Sequence, residues 1–404
     1  ILRSAEVAAL FRRAKEFGLS PVSFRADLSG IVDRKNRLVR EFADYRAQQL
    51  HDPTFTLYQS QAAFRSPHEI TVGDTVLSAG SFILATGSKP SEVPIPGLSQ
   101  AGYFTSDTIL DLRTQPDSLI VLGGGAVALE LGQFFARLGT KVTILQRGRT
   151  LLSDMDEDVG RAIETALIDE GIGVVAGTQL LRVNRGTTGK MVWAMKDGRE
   201  QSYVGEEILQ GLGRRPNIEG LRLDLVGVTV DGGGVVVDGT MRTSQAHIYT
   251  VGDVNGVSPI VHLAIQQGEI AGYNATHAGQ PAKTVDHRLD TEVVFTDPQV
   301  AVLGLNETQA KVEGIHYLTA SYPFADHGKA LCLGASKGFV KLLAAPQTGE
   351  ILGAQIVGSE AGELIHELIA VMYYHGIAAA LLRMPHYHPT LAEIVTYPAE
   401  SLVA

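Results

Sequence analysis

One cysteine, Cys332, stands among 404 residues. A lone thiol excludes an intramolecular disulfide and any metal site built from several cysteines. It fits a chain kept in a reducing cytoplasm. Long apolar runs are missing too. No stretch reaches the roughly 18 residues that suggest a membrane span, and the opening residues do not read as a secretory signal. Positive charge is in short supply: 34 Lys and Arg against 44 Asp and Glu leave a net charge of -10. That balance speaks against nucleic acid or an anionic membrane as the main partner. The 12 histidines show no ligand spacing, so no metal is expected.

What is present is a soluble, globular composition, 45% apolar and 19% charged, with 44 glycines. A chain of this length predicts two or three domains. Ile1 opens directly into a helical pattern (Leu2, Val7, Leu10, Phe11), which reads as the continuation of a longer sequence. Residues 1–50 read as helical with a break at Pro21. Short strands are predicted at Thr54–Tyr58, Glu69–Val72 and Ser81–Ala85, then a turn over Thr86–Pro90 and a linker over 90–97. Leu119–Leu122, a run of glycines, a helix from Ala126 to Leu138 closed by Gly139, and Lys141–Leu145 form a β-turn-α-β unit. A helix over Asp156–Glu170, strands near Val174 and Met191–Met195, and Glu207–Gln210 lead to a second turn at 213–217. Ile248–Val251 ends at Gly252-Asp253, and a helix runs from His262 to Ala275. Beyond Pro281 the pattern changes to strands near Glu292–Phe295, Val300–Leu303, Ser321–Pro323, Gly338–Leu343 and Ile351–Val357, with a helix at Ala361–His375. This reads as an antiparallel sheet with helices on one side. Residues 84–90 and 210–216 echo each other, each an apolar strand followed by Gly, a basic residue and Pro.

The clearest chemistry lies in Gly123-x-Gly125-x-x-Ala128. Gly123 permits a tight turn, Gly125 lets backbone approach a pyrophosphate, and Ala128 lets helix and strand pack closely. The helix N-terminus offers free N–H groups to the anion. The plainer reading is a glycine-rich turn that binds nothing. The end of the next strand reports on the cofactor ribose, because a carboxylate there suits NAD and arginine suits a 2′-phosphate. Here the residues are Gln146, Arg147, Gly148 and Arg149, which favours NADPH over NADH, against the alternative of two solvated arginines. Asp253, at the end of an apolar strand, could accept from ligand hydroxyls or be an ordinary turn residue. Gly139, Gly304, Gly338 and Gly353 read as turn or cap residues, and Tyr373 and Tyr374 as packing. Near the C-terminus, His388 and Glu393 have the spacing of an acid–base pair, although loop histidines usually carry no chemistry.

Taken together, Ala85-Thr86-Gly87, Gly123–Glu130, Gly213–Asn217, Gly252-Asp253 and His388-Pro389-Thr390-x-x-Glu393, in that order, resemble the class I pyridine nucleotide-disulfide oxidoreductases, the family of dihydrolipoamide dehydrogenase, mercuric reductase and glutathione reductase. The resemblance covers nearly the whole chain. It implies an α/β fold of two Rossmann-like dinucleotide-binding domains and a C-terminal α+β interface domain. FAD binding would fall to residues 1–110 and 240–285, NAD(P) binding to 111–239, and dimerisation to 286–404. It implies that Asp253, after Gly252, binds the ribityl or phosphate part of FAD. His262, Leu263 and Ala264 would place N–H groups near the flavin pyrimidine, and Ala62, Ala63, Thr86 and Gly87 would line the adenine and pyrophosphate side. Gly213, in the second echo, is assigned to the NAD(P) side. Glu130 matches the position facing the flavin on its nicotinamide side, and His388 with Glu393 would serve a disulfide across the interface of a homodimer.

Two details resemble mercuric reductase, namely Val127–Glu130 and the run Phe135–Leu145, but the C-terminal cysteine pair of that enzyme is absent. Cys332, between Leu331 and Leu333, reads as a small buried apolar residue. The family begins with an FAD-binding β-α-β unit and a Cys-x-x-x-x-Cys pair, and Ile1–Glu6 looks like the continuation just after that pair. The reading is an enzyme that passes hydride from NADPH to FAD and, in its complete form, electrons to a disulfide or other small-molecule acceptor. The alternatives are a flavin diaphorase that needs no disulfide and a non-catalytic dinucleotide-binding fragment.

Overall fold

The computed structural model describes residues 1–20, 23–187 and 189–403; the expected break at Pro21 lies outside them. The chain divides into two compact units. The first comprises Ile1–Lys35, Val93–Leu212 and His287–Ala404, the second Asn36–Glu92 and Gly213–Asp286. Residues 1–35, 93–110 and 213–239 thus group otherwise than the sequence reading has them.

In the first unit, four parallel strands lie in the order Glu207–Gln210, Ser118–Leu122, Lys141–Leu145 and Gly173–Val175. Parallel strands covered on both faces need not alternate polar and apolar residues, and Leu119, Ile120, Val121 and Leu122 are all buried. The chain leaves Leu122 through the glycine turn and forms helix Ala126–Leu138. It reverses at Gly139 in the left-handed region, φ 115°. It returns with Leu119 opposite Val142 and Leu122 opposite Leu145. Gly132 faces the sheet, where a Cβ would make ordinary contact with Ile144 Cδ1 and Val121 Cγ2 at 3.6 Å. Strands Thr178–Arg185, Lys190–Lys196 and Arg199–Gly205 form a separate antiparallel sheet.

The C-terminal part of this unit is a five-stranded antiparallel sheet. Its order is Thr291–Val294, Gln299–Gly304, Ile351–Gly358, Phe339–Ala344 and Leu318–Pro323. Helix Ala361–Tyr373 buries Ala361, Ile365, Leu368 and Met372, the spacing of one helical face. Three expectations are corrected here. Gly353 lies inside a strand, not in a turn, because its backbone passes so close to Leu305 that a Cβ would sit 1.9 Å from that carbonyl oxygen. Tyr373 and Tyr374 lie beyond the helix's buried face, exposed and in edge contact with each other at 5.0 Å. Cys332 is exposed as well, since its short helix buries Ala330 instead.

In the second unit, Ala62–Ser66, Glu69–Val72 and Thr75–Ser78 form an antiparallel sheet, and Phe82–Leu84 pairs in parallel with Ile248–Thr250. Thr54–Tyr58 is not a strand. Phe55 and Leu57 are exposed, and alternation alone gives no strand without a partner for the backbone. The echoed segments are strands rather than turns: Ser88–Pro90 pairs antiparallel with Arg214–Pro216, with Arg215 opposite Lys89. Each ends in proline, which a two-stranded ribbon tolerates because its outer edge needs no donor.

The first unit also buries a cation. Lys341, on strand Phe339–Ala344, has a side chain only 3% exposed. Its Nζ donates to Asp156 Oδ2 at 2.8 Å, to Asp158 Oδ2 at 2.8 Å and to Glu307 Oε1 at 3.2 Å. Asp156 stands at the N-cap position of helix Glu157–Asp169, but its side chain accepts from Glu307 N and Thr308 N, both at 3.2 Å, and from Gln355 Nε2 at 2.6 Å. Burial alone would lower the ammonium's pKa, but the hydrogen bonds to Asp156 and Asp158 outweigh it and hold the group above the ordinary lysine value. The cluster ties the helix between strands Lys141–Leu145 and Gly173–Val175 of the parallel sheet to the antiparallel sheet. Lys341→Met removes the cation and leaves Asp156 buried without its counter-charge. Loss of one partner of a buried ion pair costs about 3–5 kcal/mol, so urea unfolding should show a loss of that size. A change under about 1 kcal/mol would mean that the uncharged donors to Asp156, Gln355 Nε2 and the N–H groups of Glu307 and Thr308, satisfy it without the lysine.

Candidate functional site

The glycine turn follows from what each position must avoid. Gly123 has φ 110°, and a Cβ on it would lie 2.3 Å from Gly211 O. Ala128 is fully buried where Gly211 passes; a Cβ on Gly211 would be 2.9 Å from that of Ala128. Gly125 differs, since a Cβ there would meet nothing within 4 Å. It is the N-cap of the 13-residue helix Ala126–Leu138, and no side chain caps it. The first intrahelical bond runs from Leu129 N to Gly125 O, so the N–H groups of residues 126–128 carry no hydrogen bond among the described residues. Unpaired N–H groups at a helix start, with open space before them, suit an anion such as pyrophosphate.

Gln146 ends the neighbouring strand and braces the turn after it. Its Nε2 donates to Thr150 O at 3.2 Å, and its Oε1 accepts from Arg147 N at 3.1 Å. The side chains of Arg147 and Arg149 are exposed and pair with no carboxylate among the described residues. Gly213 belongs to the second unit, apart from this turn in the division of the chain.

Glu130 projects from the same helix. Its Oε1 accepts from Phe295 N at 2.8 Å. Burial, the larger influence, pushes the carboxyl above its ordinary pKa, partly offset by that N–H. Two residues that sequence reasoning missed continue this face. Gln133 accepts from Asp297 N at 2.8 Å and donates to Asp297 O at 2.7 Å. Arg137 grips Glu170 through Nε and Nη2, at 2.8 and 2.5 Å, and reaches Asp297 Oδ2 at 2.8 Å. The available signal is polar residues at i, i+3 and i+7 on an otherwise apolar helix.

The structure brings His388 and Glu393 together. His388 Nδ1 lies 3.0 Å from Glu393 Oε2, with the imidazole 80% exposed and the carboxylate mostly buried. A third residue, His327, has Nε2 3.4 Å from the other carboxylate oxygen, Oε1. Nothing in the sequence around His327 marks it. Nearby His386 is occupied otherwise: its Nε2 lies 2.8 Å from Glu367 Oε1 and its Nδ1 3.0 Å from Met384 O.

In the second unit, Asp253 Oδ2 accepts from Ser88 Oγ at 2.6 Å, and Arg214 Nε donates to the same hydroxyl at 2.9 Å. Gly252 turns at φ 72° and donates to Gln267 Oε1 at 2.8 Å. Thr86 Oγ1 donates to Asn217 O at 2.7 Å, and Asn217 N to Gly87 O at 2.8 Å. Thr86, Gly87 and Asp253 are thus joined through the two echoed strands. Helix Val261–Thr276 begins without a side-chain cap. Ala264 N is already bonded to Ile260 O at 2.9 Å, so only the N–H groups before it, including those of His262 and Leu263, remain for a ligand. Leu263 is buried and His262 exposed. Ala62 and Ala63 lie on the first strand of the three-stranded sheet. Among the described residues no group of three or more His, Cys, Asp or Glu could hold a metal ion, and no helix is long and apolar enough to cross a membrane.

Comparison with known proteins agrees with this geometry. The pyridine nucleotide-disulphide oxidoreductase family matches residues 8–268, and its dimerisation domain matches residues 291–399, which supports a homodimer. A mercuric reductase of Lysinibacillus sphaericus is 33% identical over 91% of this chain and 67% of its own length. A dihydrolipoyl dehydrogenase of Thermus scotoductus is 34% identical over 100% of this chain and 87% of its own length. Among solved structures, LpdA from Mycobacterium tuberculosis superposes with a TM-score of 0.86 at 26% identity, over 100% of this chain and 88% of that one.

The state of Glu130 yields a pH test. Its pKa is raised in the fold, so the unfolded chain ionises first. The stability this group contributes is full below about pH 4.3, the unperturbed glutamate value, and is lost as pH rises through the folded value. Glu130→Gln keeps an oxygen to accept from Phe295 N and removes the charge. Its melting temperature should exceed the parent's at pH 8, with the gap closing towards pH 4. A variant less stable than the parent at pH 8 would mean that the charge has compensation that offsets its burial.

Proposed function

Because this chain belongs to the pyridine nucleotide-disulphide oxidoreductase family, an FAD-using family, we propose that it is the body of an enzyme that takes reducing equivalents from NADPH and delivers them to a disulfide or related small acceptor. The observation that carries this reading is the open helix start at Gly125, with the unpaired N–H groups of residues 126–128 behind it. FAD and NADPH, when bound, supply the hydride transfer; the protein holds and aims them.

We assign NAD(P) binding to residues 111–239, FAD binding to 1–110 with 240–285, and the pairing of two copies to 286–404. Gly123, Gly125 and Ala128 leave room for the NADPH pyrophosphate, which the helix start attracts. Arg147 and Arg149 neutralise the 2′-phosphate, and this choice of NADPH over NADH rests on the absence of a carboxylate from residues 146–149. Asp253 takes the FAD sugar-chain hydroxyls; Thr86 and Gly87 shape the backbone beside it. His262 and Leu263 offer N–H groups to electron-rich flavin atoms. At the C-terminal site His388 presents Nδ1 to Glu393, so Nε2 is the atom that gives and takes the acceptor's proton. Glu130 holds a proton more readily than an exposed carboxylate, because its surroundings disfavour charge.

The chain carries a single thiol, so the reductive half of the reaction is the part to test first. The visible spectrum of the 404-residue protein, reconstituted with FAD, should show a flavin band that bleaches on anaerobic NADPH. A protein that takes up no flavin, or whose flavin ignores NADPH, overturns the proposal. Bleaching followed by rapid turnover with a quinone, without any dithiol, would favour the diaphorase reading. The double variant Arg147→Ala/Arg149→Ala should weaken NADPH binding by about tenfold or more, about 1.4 kcal/mol, while NADH changes by less than about twofold. Equal loss for the two nucleotides would make these arginines mere surface charge.

A further inference from the structure

His327 is a buried polar group that the proposed chemistry leaves unused. It lies between the short turn Phe324–Asp326 and the helix Gly328–Cys332, with its side chain 0% exposed. Neither ring nitrogen has a well-formed hydrogen bond to any described residue. A neutral imidazole carries one N–H and one lone pair, and burying either unsatisfied is unfavourable. Among the described residues the carboxylate that approaches the ring is Glu393, with Oε1 3.4 Å from Nε2. The opposite oxygen, Oε2, is 3.0 Å from His388 Nδ1. One mostly buried carboxylate therefore sits between two imidazoles, the first exposed and the second enclosed.

Few other charges bear on this arrangement. From the C-terminal segment, His388 and Glu393 act on His327. From the helix that follows, Tyr397 meets the ring edge-on at 6.0 Å, with Tyr322 stacked behind Tyr397 at 4.2 Å. Asp326 and Lys329 flank His327 in sequence, and the Asp326 carbonyl accepts from Tyr322 Oη at 3.0 Å. Burial favours the uncharged imidazole, opposed by the neighbouring Glu393. Among the described residues the carboxylate beside the ring faces Nε2, so an uncharged His327 that carries its proton on Nε2 directs that N–H at Glu393 Oε1.

We propose that His327 is a positioning residue: its Nε2–H supports Glu393 Oε1 from the buried side and so sets how tightly Glu393 holds a proton on His388. A carboxylate with a donor on each oxygen is a weaker base than one with a single donor. Removal of the buried donor should therefore raise the pKa of His388. The role in catalysis rests on the reading of His388 and Glu393 given above, while the electrostatic link does not.

The test is an NMR titration of the full chain with 13C-labelled histidine, following the Cε1–H signal of His388. In His327→Phe its pKa should rise by about 0.5–1 unit, a three- to tenfold tighter hold on the proton. In His327→Gln, whose amide restores a donor, it should stay near the parent value. An unmoved His388 in His327→Phe, or an equal rise in both variants, overturns the proposal. Should His327→Phe fail to fold, the parent protein decides: 15N shifts of His327 must show Nε2 protonated, and protonation at Nδ1 instead refutes the inference. None of these readouts needs flavin or turnover. A protein in which His388 responds but NADPH bleaches no flavin would refute the proposed function and leave the role of His327 intact.

Discussion

The buried guanidinium of Arg137, held by Glu170 and Asp297, is the contact on which the first unit depends. It sits near the end of the helix whose beginning is the open glycine turn. Two more anchors, Gln133 and Glu130, bind the same helix to residues 295–297, in the connection between the first two strands of the antiparallel sheet. A helix pinned by side chains at three levels has little freedom to rotate or slide. Its first-turn N–H groups are then fixed in direction before any anion arrives, which is the condition for strong binding by backbone dipoles. Charge-assisted, two-pronged contacts from arginine supply that rigidity better than apolar packing alone, because they also fix the angle.

Among the described residues the first unit buries three cations, Arg137, Lys190 and Lys341; Lys190 pairs with Glu207, and the other two each have more than one carboxylate around them. Arg137 has Glu170 and Asp297; Lys341 has Asp156, Asp158 and Glu307. Such clusters join elements distant in sequence. Glu130 and His327 are different. Glu130 is a partly buried carboxylate met by one backbone N–H, and His327 is an enclosed imidazole without a well-formed hydrogen bond. Polar groups left incompletely satisfied inside a fold tend to mark places where chemistry, not stability, sets the residue. Glu130 lies on the helix that begins at the glycine turn, and His327 lies behind the carboxylate that faces His388.

Much of the fold was legible because its determinants are local. Strand, glycine turn, helix and returning strand occupy residues 118–145, and each glycine announces the backbone it must adopt. The strands of the C-terminal sheet were legible as short apolar runs, and the pairing of His388 with Glu393 from its short spacing. What stayed hidden depends on partners far along the chain. Nothing near Arg137 announces Asp297, 160 residues away, or places His327 beside Glu393. Thr54–Tyr58 shows the converse, since it alternates like a strand but finds no backbone to pair with. The echoed segments read as turns because glycine and proline dominate them, yet each supplies the other's partner strand.

The claim that this helix is fixed by its buried arginine is tested most directly by a double-mutant cycle between Arg137→Leu and Glu170→Leu, read from urea unfolding. Contacting charges of this kind couple by about 0.5–3 kcal/mol, and two bonds from a buried guanidinium place the expected value in the upper half of that range. A coupling above about 1.5 kcal/mol would support the account. Additive effects within about 0.5 kcal/mol would contradict it, and would leave the orientation of the glycine turn to apolar packing alone.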